Sequence, residues 1–291
     1  MAEELIGIIG GTGLGDALAE QIIDAELCDI DTPFGRPSTA ILVGRFGKKQ
    51  IAFLSRHGKG HKLSPSEVPF AANIFALKKL GVHTLLSSGA VGSLRDEIAP
   101  GDLVVVDQFI DKTFKRKNSF FDGFGAVHCE MAQPTCGRVR EILIDTAKGI
   151  KTTTHPKGTY VCMEGPQFST RAESFMHRSW GGDLIGMTAM PEAKLAREAQ
   201  ICYALVALAS DYDCWKPHTG DKDKQTLLKE IISNLQEATN NSLELIKTVL
   251  SSECVLVSES CHCRKSLDLA VWTDQSRIEA VDKEKLKLLF E

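Results

Sequence analysis

The sequence predicts an α/β fold, and three observations carry that prediction. Short apolar segments rich in β-formers alternate with segments whose apolar residues recur at helical spacing. Glycine-rich or polar residues follow directly after several of the predicted strands. No linker rich in Pro, Gly and Ser and no internal repeat divides the 291 residues. This alternation is typical of one domain built on a largely parallel or mixed central sheet.

The predicted strands are apolar runs that end in turn residues. Leu5–Ile9 ends in a Gly-Gly-Thr-Gly loop, and Ile51–Ser55 ends in Arg56-His57-Gly58. Thr84–Ser88 leads into Gly89-Ala90-Val91-Gly92. The later strands are Leu103–Asp107, Thr159–Met163, Leu184–Thr188 and Ile201–Ser210. Ligands of such sheets bind at the carboxyl ends of the strands, so the polar residues found there are candidate site residues.

Three helices and one long loop complete the prediction. The first helix begins at Ser64, where Glu67 completes a capping box, and ends at Gly81. A second helix begins near Pro191, and a third runs from about residue 224 to residue 250. Residues 112–134 lack clear periodicity and are expected to form a loop.

Charge and hydropathy exclude several classes of protein. The net charge of −4 gives no basic field for nucleic acid. No run approaches about 18 apolar residues, so we expect no membrane span. The N-terminus lacks the pattern of a signal peptide, and a cytoplasmic location is expected.

The nine cysteines are scattered, and none forms the C-x-x-C pair of a zinc ribbon, so no metal site is predicted. Cys162 and Cys202 lie in apolar runs and are expected to be small buried residues. The Cys261-His262-Cys263 triplet leaves three interpretations open. It can form a strained local disulfide, bridge to another cysteine, or remain reduced in a C-terminal loop.

Several strand ends carry groups that can hold an anion. The first glycine loop fails the G-x-G-x-x-G pattern and lacks the Gly-Lys-Ser/Thr of a Walker motif, so it does not indicate NAD or ATP. Its amides can still bind a phosphate. At the second strand end, a guanidinium can bind phosphate bidentately and a histidine can donate another contact. The predicted anion-binding residues are Thr12, Arg56, His57, Ser88, Gly89, Ala90 and Thr188.

Asp211 and Asp213 follow the last apolar strand and have the same parity on an extended segment, so both can face one site. A buried carboxylate needs a partner, and a purine base supplies one. A protonated aspartate can donate to N7 and help the base leave. A second carboxylate can accept from an exocyclic amine, which favours adenine over a 6-oxopurine. The alternative interpretation is that one of them caps a helix.

These residues belong to motifs that resemble a known family. The chain resembles the 5′-methylthioadenosine phosphorylases of the trimeric purine nucleoside phosphorylase family from its N-terminus to about residue 216. The matching segments are Gly7–Leu14, Asp31–Gly35, Arg56–Gly58, Gly92–Arg95 through Pro100–Asp102, Asp107–Asp111, Glu164–Glu173, Met187-Thr188 with Pro191-Glu192, and Ser210–Trp215. The resemblance implies a nucleoside phosphorylase fold, a single domain whose central mixed, partly barrel-like β-sheet is flanked by helices. We assign residues 1–250 to this domain and residues 251–291 to a C-terminal segment that packs on it or extends it.

The resemblance also implies roles for individual residues. The anion-binding set would surround phosphate, Asp211 would act as the acid at N7, and Asp213 would contact the 6-amino group. Residues implied to contact the nucleoside are Met187 under the ribose, Phe168 and Ser169 at the base, His61 near phosphate and ribose, and Leu227 and Leu228 at the 5′ group. His128 would reach the 5′ end from a neighbouring subunit of a homotrimer.

The implied reaction is phosphorolysis of 5′-methylthioadenosine to adenine and 5-methylthioribose 1-phosphate, with phosphate as co-substrate and no metal or organic cofactor. Two residues depart from the family pattern. Gly89 replaces a threonine of some relatives, and Lys224 stands where the 5′ pocket is usually apolar. The alternatives are a phosphorylase that prefers adenosine or inosine, a nucleosidase that uses water, and a non-catalytic nucleoside sensor.

Overall fold

The computed structural model describes residues 4–11, 18, 20–217 and 224–290, without the side chains of Lys224 and Gln275. The described strands form one eleven-stranded sheet. They are β1 (Leu5–Gly10), β2 (Ile23–Cys28), β3 (Ile41–Phe46), β4 (Lys49–Ser55), β5 (Thr84–Ser93), β6 (Leu103–Val105), β7 (Gln108–Lys112), β8 (Thr154–His155), β9 (Thr159–Met163), β10 (Leu184–Gly186) and β11 (Cys202–Tyr212).

The sheet is mixed and branches at β5. Its main path runs β2-β3-β4-β1-β5-β10-β9-β7, and β11 pairs with β5 and continues to β6 and β8. Strands β1, β4, β5 and β11 are mutually parallel, whereas β10 pairs with β5 in the antiparallel direction. The central strands β1, β5 and β11 are mostly buried, which explains why they appear as continuous apolar runs in the sequence. The predicted single-domain α/β fold with a mixed sheet is confirmed.

Helices cover this sheet. They are α1 (Phe70–Lys79), α2 (Gly137–Ala147), α3 (Arg171–Ser179), α4 (Glu192–Glu198), α5 (Lys224–Ser251) and α6 (Ala280–Leu286), with short 3₁₀ turns at His262–Lys265, Gln275–Arg277 and Lys287–Phe290. The predicted helices near Pro191 and from residue 224 are confirmed. None of the described helices is long and apolar enough to cross a membrane.

The prediction that the first helix begins at Ser64 is wrong, because α1 begins at Phe70. Glu67 does accept from the Ser64 amide, but these residues form an isolated turn. Pro69 disfavours helical geometry at the residue before it, so the helix starts only after the proline. The predicted end is confirmed, since Gly81 has a φ of +92° and closes a Schellman motif.

Two strands are longer than predicted, and the residues at their ends contribute to the site. Strand β5 continues past Ser88 to Ser93, and β11 continues past Ser210 to Tyr212. The two strands pair along almost their whole length, so hydrogen bonding carries the extended backbone through Gly89 and Gly92. A register shift between Ala209 and Asp211 interrupts this ladder. In contrast, the predicted strands at residues 103 and 184 end two residues early, at Val105 and Gly186.

The C-terminal residues contribute side chains to both large apolar clusters of the core. Leu256, Cys261 and Cys263 lie in the cluster beside α2 and α5. Leu267, Ala270, Ile278, Leu286 and Leu289 lie in the cluster beside α1 and α4. The backbone is tied as well, because Thr84 Oγ1 donates to the Leu256 carbonyl at 2.7 Å.

Candidate active site

A cleft lies at the carboxyl ends of β1, β4, β5 and β11. Because these four strands are parallel, the residues that follow them meet at one edge of the sheet. Helix α5 also contributes side chains to the cleft. The cleft brings together most of the residues predicted from sequence, namely Arg56, His57, His61, Gly89, Ala90, Phe168, Ser169, Met187, Thr188, Asp211 and Asp213.

Arg56 is fully buried at the floor of this cleft, and its guanidinium is paired with a carboxylate. Nε donates to Glu192 Oε2 at 2.8 Å, and Nη2 donates to Oε1 at 3.1 Å. Glu192 also accepts from Ser87 Oγ at 2.6 Å and from Tyr203 Oη at 2.9 Å. A bidentate contact between Arg56 and phosphate does not fit this geometry, because Glu192 occupies the Nε–Nη2 edge and Nη2 also donates to Ser87 Oγ at 2.7 Å.

One edge of the Arg56 guanidinium still faces the glycine loops. Nη1 donates one hydrogen to the Ser88 carbonyl at 2.8 Å, which leaves its second hydrogen for an anion. A methyl group at Gly11 would lie 3.3 Å from Nη1, so a side chain there would fill this space. A methyl group at Gly89 would lie 3.2 Å from Thr188 Oγ1. Glycine at both positions keeps backbone, guanidinium and hydroxyl within reach of one anion.

His57 is a neutral residue with a fixed tautomer. Its Nδ1 lies 2.9 Å from the Leu63 carbonyl, and because a carbonyl only accepts, Nδ1 carries the proton. Burial lowers the pKa of His57 to about 4, with a further contribution from the Arg56 charge, although the Leu63 hydrogen bond opposes the shift. The neutral ring presents Nε2 as an acceptor, so the expected donation to phosphate is not available in this state.

Asp211 and Asp213 form the wall of the cleft beside Gly92. Ser210 Oγ donates to Asp211 Oδ2 at 2.7 Å, and a methyl group at Gly92 would lie 3.3 Å from Asp211 Oδ1. Asp213 is 9% exposed, and its Oδ2 is buried without a hydrogen-bond partner among the described residues. An unpaired buried carboxylate oxygen is costly unless a donor arrives from outside the protein.

Phe168, Ser169 and Met187 line the other side of the cleft. Thr170 caps α3 through a complete capping box with Glu173, which fixes the segment carrying Phe168 and Ser169. Phe168 is 85% exposed, so its ring is available to a ligand or a second chain. The Met187 segment is held by Arg116, whose Nη1 donates to the carbonyls of Met187 and Met190, both at 2.6 Å.

Arg116 is in turn held by the buried Glu164, whose Oε1 lies 3.2 Å from Arg116 Nε. Burial alone would raise the pKa of this carboxyl group. Hydrogen bonds from the Ser66 hydroxyl and from two backbone amides, together with the charge of Arg116, hold the pKa of Glu164 down to about 2. The cleft wall therefore rests on an ionised carboxylate at all ordinary pH values.

Some predicted residues lie elsewhere. Ser88 does not line the cleft, and it supports the site through its carbonyl contact to Arg56. His128 lies outside the cleft of its own chain, 5.1 Å from the Trp272 ring. Leu227 and Leu228 do not line the cleft either, and Leu228 is 58% exposed. Thr12 and the side chain of Lys224 lie outside the described residues.

Two residues of α5 that the sequence analysis did not select, Ile231 and Leu235, line the cleft instead. They lie four and eight residues after Leu227 and so share its helix face. Extending the helical spacing from Leu227 would have found both.

Comparison with known families agrees with this arrangement. A family model described as the phosphorylase superfamily matches residues 5–251. The chain belongs to the phosphorylase superfamily. The S-methyl-5'-thioadenosine phosphorylase of Cereibacter sphaeroides is 51% identical to this chain over 269 residues. The match covers 92% of this chain and 91% of the relative. The protein of the same name from Xenopus tropicalis is 46% identical, with 85% and 90% covered.

Solved structures of methylthioadenosine phosphorylases are also similar to this chain. A methylthioadenosine phosphorylase from an Antarctic soil metagenomic library has a TM-score of 0.88 at 41% identity, with both chains fully covered. A variant of the adenosine/methylthioadenosine phosphorylase from Schistosoma mansoni, in complex with methylthioadenosine, has a TM-score of 0.76 at 36% identity. That match covers 86% of this chain and 91% of the other.

Three charged residues of the site were not assigned a role by sequence reasoning. Glu192 carries a signal, because a carboxylate stands between the apolar residues Ala189-Met190-Pro191 and Ala193. A buried arginine also requires such a partner. Arg116 and Glu164 lie 48 residues apart in the chain, and no local pattern connects them.

The lowered pKa of His57 predicts an acid-dependent loss of stability. The unfolded histidine takes up its proton near pH 6.5, whereas the folded one does so only near pH 4. The stabilisation is complete above pH 6.5 and decreases as the pH falls from 6.5 to 4. Protonation of His57 adds up to about 1.4 kcal/mol per pH unit to the slope of the free energy of unfolding against pH. The free energy of unfolding of His57→Gln, measured by urea titration across this range, should depend less steeply on pH. Parallel curves for the variant and the parent chain would contradict the assignment.

Proposed function

We propose that this chain catalyses the phosphorolysis of 5′-methylthioadenosine, producing adenine and 5-methylthioribose 1-phosphate. The observation that carries the proposal is the buried, unpartnered Oδ2 of Asp213 beside Asp211 in the cleft. A 6-aminopurine supplies the missing donor through its exocyclic amine. The names and the identity of the relatives support the same substrate.

The opposite end of the cleft suits phosphate. The free hydrogen of Arg56 Nη1, the Thr188 hydroxyl and the backbone at Gly89 and Ala90 converge there. Thr12 is assigned to the same anion from the resemblance. A hydrolase would not need these donors, because water carries no charge to neutralise. Their convergence therefore favours phosphate over water as the attacking group.

The two ends act on one glycosidic bond. Phosphate, held below the ribose, stabilises the oxocarbenium-like sugar as the bond to N9 lengthens, and then attacks the anomeric carbon. The electron pair of the broken bond moves into adenine, and Asp211 donates a proton to N7. His61 and Met187 contact the ribose, and Phe168 and Ser169 contact the base. Positioning and preorganised charge provide the rate, and no metal or organic cofactor takes part.

The 5′ group is recognised by apolar side chains of α5. Ile231 and Leu235 line the cleft on the helix face that Leu227 shares. A methylthio group gains from burial against them, whereas a hydroxyl group would lose hydrogen bonds to water. Adenosine is the second candidate substrate, because the structural relative from Schistosoma mansoni is named for both nucleosides.

The active assembly is proposed to be a homotrimer in the cytoplasm. His128 lies outside the cleft of its own chain, and the exposed Phe168 and Trp272 rings are available for contact with another chain. In the trimer, the partner subunit's His128 closes the 5′ end of the cleft. Sedimentation equilibrium should give three times the chain mass.

The deciding experiment measures adenine release from methylthioadenosine, adenosine and inosine, each with and without phosphate. We expect release to require phosphate, to be fastest with methylthioadenosine and to yield 5-methylthioribose 1-phosphate. Equal release without phosphate would identify a hydrolase and remove the roles given to Arg56 and Thr188. Faster turnover of adenosine or inosine would retain the mechanism and reject the substrate.

A further inference from the structure

Four buried cysteines converge far from the cleft. Cys136, Cys202, Cys261 and Cys263 come from three separate parts of the chain, and their Sγ atoms all lie within 4.8 Å of one another. All four are free thiols. Cys202 begins β11, whereas Asp211 lies near the other end of that strand, so this thiol cluster is separate from the proposed reaction.

The spacing of the sulfur atoms fits a single tetrahedral metal ion. A Zn–S bond of about 2.3 Å implies sulfur–sulfur separations of about 3.8 Å in a tetrahedron. The Sγ atoms of Cys136 and Cys261 are already 3.7 Å apart. The other pairs, within 4.8 Å, need to close by about 1 Å or less to reach the tetrahedral separation.

A second, independent observation indicates that negative charge belongs at this position. Arg197 is 4% exposed, and its guanidinium donates to the Gln133 carbonyl and to Cys263 Sγ, the latter at 3.7 Å. Among the described residues, no carboxylate lies within ion-pair distance of it. Buried charges are normally paired, and a neutral thiol does not neutralise a guanidinium. A metal–thiolate centre would supply the missing anion.

The surroundings of the thiol cluster favour thiolates in two further ways. Cys136 is the N-cap residue of α2, where the helix dipole stabilises a negative sulfur. His262 Nε2 lies 3.8 Å from Cys263 Sγ and can donate to it as an outer-shell partner. These groups, with Arg197, offset the net charge of −2 that four thiolates and one divalent ion would carry.

We propose that the thiol cluster binds one zinc ion, which attaches the C-terminal segment to the α/β domain. Binding of Zn²⁺ forms four Zn–S bonds and releases the four thiol protons to solvent, with no change in oxidation state. Thiolate ligands select soft ions, and four ligands leave no open position, so the site is structural rather than catalytic. Two ligands belong to the C-terminal segment, while Cys136 and Cys202 belong to the domain.

The test measures zinc in the full chain, purified in reducing buffer without chelator or added metal. We expect about one zinc per chain by mass spectrometry, and at least a tenfold lower content in Cys202→Ser and Cys263→Ser. Cys162→Ser removes an equally buried thiol outside the cluster, and Cys28→Ser removes a half-buried one. Both controls should retain the ion.

A second readout does not depend on variants that fold poorly. Cobalt substituted into the unmodified chain should give the intense visible bands and sulfur-to-metal charge transfer of tetrahedral Co(II) thiolate. Wild-type protein that lacks metal, fails to take up cobalt and yields nine titratable thiols after denaturation would overturn the proposal. Disulfide-linked peptides joining these cysteines would also overturn it, as would equal zinc in Cys202→Ser and the parent chain.

Discussion

Replacement of Asp211 by asparagine is expected to lower kcat/KM for methylthioadenosine by about 10²- to 10⁴-fold, the usual contribution of a positioned general acid. Asparagine keeps the shape of the side chain and can still accept from Ser210 Oγ, which contacts Asp211 Oδ2 at 2.7 Å. It has no acidic proton to deliver to N7. The loss should therefore appear mainly in kcat, measured by adenine release at saturating phosphate.

Two controls distinguish an acid from a residue that only positions the base. An N7-methylated adenine nucleoside already carries positive charge in the ring, so Asp211→Asn should cleave it at nearly the parent rate. Asp96→Asn changes an exposed carboxylate that pairs with Lys216 outside the cleft, and it should leave kcat unchanged. An equal loss on both nucleosides would show that Asp211 does not act as the acid.

Replacement of Glu192 by alanine is expected to destabilise the chain by about 3–5 kcal/mol, because it leaves a buried guanidinium without its counter-charge. Arg56 is fully buried and Glu192 is 1% exposed. The change also removes the carboxylate that holds Nε and Nη2 of Arg56 in place. Because the guanidinium is then no longer fixed relative to phosphate, the KM for phosphate should rise. Urea unfolding and phosphate saturation curves measure the two effects separately.

A double-mutant cycle tests whether the pair acts as a unit. Arg56→Met combined with Glu192→Leu replaces both charges with apolar groups and should destabilise the chain less than the two single changes added together. Glu253→Ala provides the matched control, since the Lys48–Glu253 pair is exposed to solvent and should not contribute measurably to stability. Additive single changes would contradict a coupled buried pair.

Sequence reasoning succeeded where a local pattern has one structural outcome. Gly81 ends α1 because glycine adopts the left-handed conformation of a Schellman motif, and the apolar runs at β1 and β11 are buried strands. It failed where a neighbour altered the local preference. The start at Ser64 was wrong because Pro69 disfavours helix in the residue before it. The ends of β5 and β11 were placed too early because pairing between them extends both.

For the site, too, local patterns were sufficient for some features, and contacts between distant segments decided others. The residue types at the strand ends indicated an anion at one end and a purine at the other, and most of them do line one cleft. The direction of each side chain could not be predicted from the same motifs. Arg56 faces Glu192 across 136 residues of sequence, and no pattern within either segment encodes that contact.

The sequence by itself determined the α/β fold class, the identity of the strands that carry the site and the chemistry of their end residues. Parallel strands place their carboxyl ends at one edge, so order along the chain was sufficient for that conclusion. Only the tertiary structure decided which oxygen of Asp213 lacks a hydrogen-bond partner among the described residues, that Arg56 pairs with Glu192, and that Cys136 meets Cys261 across 125 residues. These are contacts between distant segments, and their geometry depends on how the whole core packs rather than on local propensity.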